Sequence, residues 1–206
     1  MGTHIVLFLK QKTENEKIDF KILTDKLSEN YKEIGNAILL ENSTKPNEPK
    51  FIFKENKELL IDGNNHHISI NLFNDYSKMK EEVIEMLWDA FDYCDIEFAR
   101  VGYITEVHKN VKDLEYTKKQ IFNSKINKDI DEFQIGFHNI IKFQRKNINC
   151  WHRFVKFYDT PLIISYDINT REQNFGDINY KILKEFMNFA DEYINNDINN
   201  YIKEEK

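Results

Sequence analysis

The chain is expected to be an α+β protein, built on an extended, mostly antiparallel sheet with its helices on one face. Three observations point there. About eight segments carry strand patterns, against three main helical ones. The first half runs strand, helix, three strands, helix, strand, a ferredoxin-like order with an added hairpin strand. Tight-turn sequences at Asp62-Gly63-Asn64-Asn65 and around Lys146-Asn147 join neighbouring strands as hairpins.

The elements follow in order. His4–Lys10 contains a continuous apolar run and reads as a buried strand. Phe20, Leu23, Leu27, Tyr31 and Ile34 recur at helical spacing, with Asp19 as N-cap and Gly35 as stop. Ala37–Leu40 is a short extended piece, and Asn42–Pro49 is the clearest loop. Three short strands come next, over Lys50–Lys54, Glu58–Ile61 and His66–Leu72. A helix is expected from about Ser77 to Cys94, with Met79, Val83, Met86, Leu87, Ala90, Phe91 and Cys94 as its apolar stripe. Ile96–His108 is a strand, and residues 111–128 form a polar connecting helix. Phe133–Gln144, Asn149–Tyr158 and Leu162–Ile168 are three more strands, and a last amphipathic helix covers Ile178 to about Ile202. Residues 1–206 are expected to be one domain, or two lobes over 1–110 and 111–206.

Composition narrows the function classes. With 41% apolar residues and 16 Phe, the chain has too much core material for a disordered protein. A formal charge of −6 argues against a generic duplex-DNA binder, while leaving room for a local basic face. The two cysteines, Cys94 and Cys150, are too few for a disulfide framework or a zinc ribbon. They read as buried free thiols in a reducing compartment. The N-terminal apolar run is too short for a signal-peptide core or a membrane span, so a cytoplasmic protein without a membrane partner is expected. Lys outnumbers Arg 25 to 4, the codon bias of an AT-rich, microbial genome.

Sequence signatures of chemistry are sparse. There is no phosphate-binding loop, dinucleotide fingerprint, His-Glu-x-x-His or Gly-x-Ser-x-Gly, and no cofactor is implied. His66 and His67 are strand neighbours and point to opposite faces, which disfavours chelation of one metal ion. Cys150 and His152 share a strand face, but a strand rise of about 7 Å places them beyond the reach of a nucleophile–base hydrogen bond. Glu82, Glu85 and Asp89 lie along one solvated side of a helix.

The hairpin around Lys146 supplies the candidate site. A three-residue turn, Lys146-Asn147-Ile148, pairs Phe143 with Trp151 and Phe137 with Phe157, so that the large apolar groups share a face. Trp151 is then expected to be buried. The opposite face gathers His138, Lys142, His152, Phe154, Lys156 and Tyr158. Basic groups interleaved with rings on a sheet suit single-stranded RNA, in which rings stack on bases and cations meet phosphates.

Arg100-Val101-Gly102-Tyr103, Ile164-Ser165-Tyr166-Asp167-Ile168 and the helix from Asn179 resemble a sporadically distributed family of uncharacterised prokaryotic proteins. That family has a central Arg-hydrophobic-Gly strand and an aromatic-rich C-terminal helix. Its pattern continues to an Asn where this chain has Thr105-Glu106. The resemblance implies an accessory or interaction protein of a mobile or defence locus. The leading expectation is therefore a non-enzymatic binding protein that meets a protein partner or a second copy of itself. An RNA-binding or RNA-processing protein is the first alternative. A metal- or thiol-dependent hydrolase using His66, His67 and Cys150 is the second.

Overall fold

Among the described residues, nine strands pair into one antiparallel sheet, in the order β2-β3-β4-β5-β1-β6-β9-β8-β7. The strands are β1 (Gly2–Leu9), β2 (Asn36–Leu39), β3 (Phe51–Glu55), β4 (Leu59–Gly63), β5 (His67–Phe73), β6 (Phe98–Lys109), β7 (Phe133–Phe143), β8 (Lys146–Lys156) and β9 (Leu162–Asn169). The helices are α1 (Phe20–Asn30), α2 (Asn74–Lys78), α3 (Lys80–Tyr93), α4 (Leu114–Phe122) and α5 (Tyr180–Tyr201). This computed structural model describes residues 2–10, 18–40, 45, 47–56, 58–110, 114–122, 132–171 and 176–202.

The α+β class and the ferredoxin-like first half are as the sequence indicates. Strands β6, β1, β5 and β4 lie side by side with α1 and α3 behind them, and β2 and β3 are the added strands. The second half repeats this plan. Strand β1, helix α1, the meander β3-β4-β5 and helix α3 are echoed by β6, α4, the meander β7-β8-β9 and α5. Within each half the first strand pairs with the last of its meander, giving β1-β5-β4-β3 and β6-β9-β8-β7. The halves meet at the antiparallel β1–β6 pair, as a two-fold axis through that seam would place them. The boundary between the repeats lies between α3 and β6, and the sheet runs unbroken across it.

Side-chain alternation decides which face is buried. On β1, Ile5 and Leu7 are fully buried, while His4, Val6 and Phe8 point the other way and are half-exposed. The buried row continues through Ile68, Ile70 and Leu72 on β5, Val101 and Tyr103 on β6, and Ile164, Tyr166 and Ile168 on β9. Aromatic contacts place α1, α3 and α5 on this same side. Phe20 stacks on Phe51 at 5.7 Å, Phe91 meets Phe98 at 5.2 Å, Phe186 meets Phe143 at 5.5 Å and Tyr201 meets Phe154 at 4.7 Å. A polar tie crosses this layer. The Tyr103 hydroxyl donates to Asp191 Oδ1 at 2.5 Å, and Lys80 pairs with the other Asp191 oxygen.

Local signals explain most helix ends. Asp19 Oδ1 accepts from the Lys21 and Ile22 amides, and Asn179 caps α5 through Ile182 N. The helix expected from Ser77 is interrupted at Met79, leaving the short α2 ahead of α3. The Ser77 hydroxyl, which would serve a helix start, is instead bonded to Thr3 Oγ1 on β1 at 2.9 Å. The polar helix expected over 111–128 is α4, with 111–113 and 123–128 outside the described residues.

The β7–β8 hairpin corrects the predicted register. Its turn has two residues, Gln144 and Arg145, both left-handed at φ 49° and 65°, so Phe143 faces Lys146 and Trp151 faces His138. Two consecutive positive φ values match the right-handed twist of the strands. Trp151 is 50% exposed and Phe154 is fully buried. The two have opposite parity, so β8 cannot bury both. Helix α5 covers the side bearing Ile148, Cys150, His152 and Phe154.

This register predicts unequal costs along β8. Phe154→Ala should lower stability by about 3–5 kcal/mol, whereas Trp151→Ala should cost under about 1 kcal/mol. Urea unfolding of both variants decides it, and a large loss at Trp151 would contradict the two-residue turn.

Candidate functional site

All helix packing lies on one side, so the other side of the sheet is left as a broad open face. Among the described residues no helix covers it. Register places its side chains. One row runs Lys54, Leu60, Asn71, His4, Ile104, Asp167, Trp151, His138. The next runs Ile52, Asp62, Ser69, Val6, Gly102, Asn169, Asn149, Ile140.

Two ring platforms stand on this face. The His138 and Trp151 rings stack at 4.2 Å. The Arg100 guanidinium lies 4.6 Å over the Phe8 ring, with His67 tilted beside it at 6.1 Å. Between them runs a chain of oriented amides. Asn169 Nδ2 donates to Asp167 at 2.9 Å, and Asn149 Nδ2 donates to Asn169 Oδ1 at 3.1 Å. Asn149 Oδ1 in turn accepts from Arg171 Nε at 2.9 Å and lies 3.2 Å from His138 Nε2. Burial lowers the His4 pKa below the usual imidazole value and raises that of Asp62 above the usual carboxylate range. His4 Nε2 is buried without a hydrogen-bond partner among the described residues.

The six residues expected to share an exposed face are divided by the corrected register. His138 and Lys142 lie on the open face. His152 and Phe154 are buried on the opposite face under α5. The Lys156 ammonium closes the following turn, donating to the carbonyls of Phe157, Tyr158 and Thr160, and Tyr158 is exposed in that turn. Residues that sequence reasoning passed over complete the open face: Phe8, Asn149, Trp151, Arg153, Asn169 and Arg171. Three of the four arginines, Arg100, Arg153 and Arg171, gather there in a chain where lysine is six times commoner.

A second constellation lies behind β8. Cys150 Sγ is 2.9 Å from His152 Nε2, which also meets the Tyr193 hydroxyl at 3.3 Å. His152 Nδ1 faces Asp197 Oδ2 at 3.4 Å, and Tyr166 donates to the same carboxylate oxygen at 3.1 Å. The strand-rise argument excluded the Cys150–His152 contact, but the side chains lean together and close the gap. Asp197 comes from α5, so no local spacing announces it. The connectivity is that of a thiol, a base and an orienting carboxylate. Its setting is not reactive. Cys150 and His152 are 0% and 1% exposed, and burial pushes the thiol pKa up to about 12. Among the described residues, no three His, Cys, Asp or Glu side chains are grouped to hold a metal ion.

The helical side carries opposite charge. Glu85, Asp89, Asp92, Glu97 and Asp177 rim a cavity of about 610 Å³ between α3 and the start of α5, above Trp88 and Tyr180.

No family model and no curated protein matches the sequence. No described helix is long and apolar enough to cross a membrane.

The buried imidazoles set a pH dependence. Burial holds the His152 and His4 pKa values below the ordinary 6.5 in the folded protein. As pH falls below about 6.5, the unfolded chain takes up protons that the fold refuses. Stability is therefore full above that pH and declines as pH drops toward the lower folded values. The urea midpoint is expected to be lower at about pH 5.5 than at about pH 7.5. His152→Gln and His4→Gln should each shrink the difference, and an unchanged difference in both would refute the assignment.

Proposed function

We propose that the chain is a non-enzymatic binding protein, cytoplasmic and of a prokaryotic cell, whose working surface is the open sheet face. One observation carries this reading. A protein of formal charge −6 places three of its four arginines and four of its six histidines (His4, His67, His108 and His138) on a sheet face that no described helix covers. Arginine's planar guanidinium stacks on rings and forms forked hydrogen bonds, which lysine cannot do. Its concentration there runs against the composition of the chain. Exposed Ile140, Ile38, Leu60 and Trp151 add apolar contact area to the same face. The resemblance to accessory proteins of mobile or defence loci agrees with a binding role.

A photo-reactive benzoylphenylalanine placed at Ile140, on the open face, should yield adducts in the cells that encode the protein. The same group at Ile22 or Tyr93, exposed on the helical side, should not. Adducts from the helical side alone would overturn the reading.

The Cys150–His152–Asp197 geometry supports the hydrolase alternative in connectivity alone, because a substrate needs access to the sulfur. Cys150 is expected to resist a bulky disulfide reagent in the folded protein and to react on unfolding. Prompt labelling of the native protein would restore that alternative.

A further inference from the structure

We infer that the ligand of the open face is single-stranded nucleic acid, an inference that rests on the binding reading above. Stacking, charge and directed hydrogen bonding meet on this face in the pattern that unpaired nucleotides require. The two ring platforms, Trp151 with His138 and Phe8 with Arg100, offer π-surfaces to bases. Phe8 and Trp151 are three strands and four residues apart by register, a diagonal of roughly 20 Å that a few extended nucleotides cover.

The surface between the platforms is already organised. The Asp167–Asn169–Asn149 chain holds two amide side chains in fixed orientations on this face, polar groups of the kind that recognise base edges. Gly102 leaves the centre of the face without a side chain, between Val6, Phe8 and Asn169. Lys54, Arg100, Lys142, Arg153 and Arg171 outnumber the carboxylates of Asp62, Glu106 and Asp167. Glu106 is engaged by Ser165 at 3.0 Å. The acidic helical side repels a polyanion, which steers it to this face. A duplex hides its bases from rings standing on a sheet, so the fit is to single strands.

The test is fluorescence polarisation with labelled oligo(U) RNA and oligo(T) DNA of about twelve nucleotides, beside a duplex of the same length, from about 20 to 200 mM salt. Single strands of either sugar should bind more tightly than the duplex, and affinity should fall with salt. Trp151→Ala, at an exposed site, should weaken binding roughly 5- to 150-fold, the range a base–ring stack supplies. Arg100→Lys keeps the charge and loses the planar stack, and should weaken binding several-fold. Lys119→Ala, on the helical side, should leave it unchanged. Absence of binding at low salt, preference for the duplex, or equal binding by Trp151→Ala overturns the inference. Adducts from Ile140 separate the two readings. Adducts that resist nuclease and yield to protease leave the binding surface standing with a protein as its ligand, whereas absence of any adduct removes both.

Discussion

The β1–β6 pairing is the contact on which the rest of the molecule depends. It is the one strand pairing that joins the two repeats, and it sets Ile5 against Tyr103 and Leu7 against Val101 on the buried face. Because β1 also pairs with β5, it has no free edge. Each fully buried Ile or Leu there contributes about 1.5–3 kcal/mol. Once the seam is closed, the buried rows of the two halves form one continuous surface, and α3 and α5 must lie together above it. The contacts between these helices follow from that demand: Lys80 on Asp191, which also accepts from Tyr103 on β6, and Lys184 on Glu81 at 2.7 Å.

The same seam explains why one face is left open. A strand has two sides, and every described helix in both repeats returns to the same one. The other side of the sheet is covered by no described helix. Charge follows this division. Carboxylates collect on α3 and around the start of α5, whereas guanidinium groups collect on the sheet. Overall net charge conceals this because it averages the two sides.

Much of the fold was legible in the chain because it rests on local rules. The strand at β1, the Asp19 cap and the meander β3-β4-β5 each follow from neighbouring residues, although the apolar run of β1 gave no hint that Val6 and Phe8 turn to the open face. The β7–β8 register did not, because counting apolar groups treats Trp151 as core. An indole beside His138 can stack on an exposed face, and Gln144-Arg145 carries none of the glycine or asparagine that usually marks a two-residue turn. That one error moved His152 and Phe154 to the wrong side of the candidate site. The repeat was also hidden, since the halves share an order of elements and a pairing scheme, not residues. Asp197 and Tyr193 reach Cys150 and His152 only through the packing of α5, a tertiary fact with no signal in local spacing.

The buried cluster and the open face meet in β8. His152 Nε2 faces the Cys150 thiol and the Tyr193 hydroxyl, while its buried Nδ1 lies 3.4 Å from Asp197 Oδ2 and makes no hydrogen bond among the described residues. The arrangement ties β8 to β9 through Tyr166 and to α5 through Tyr193 and Asp197. Successive residues of a strand alternate between faces, so whatever pins His152 inward also fixes where Trp151 stands outward. A ring held in place before its ligand arrives loses less freedom on binding than a mobile one. A thiol, an imidazole and a carboxylate with the connectivity of a catalytic relay thus hold the buried side of the strand whose other side carries the Trp151–His138 stack.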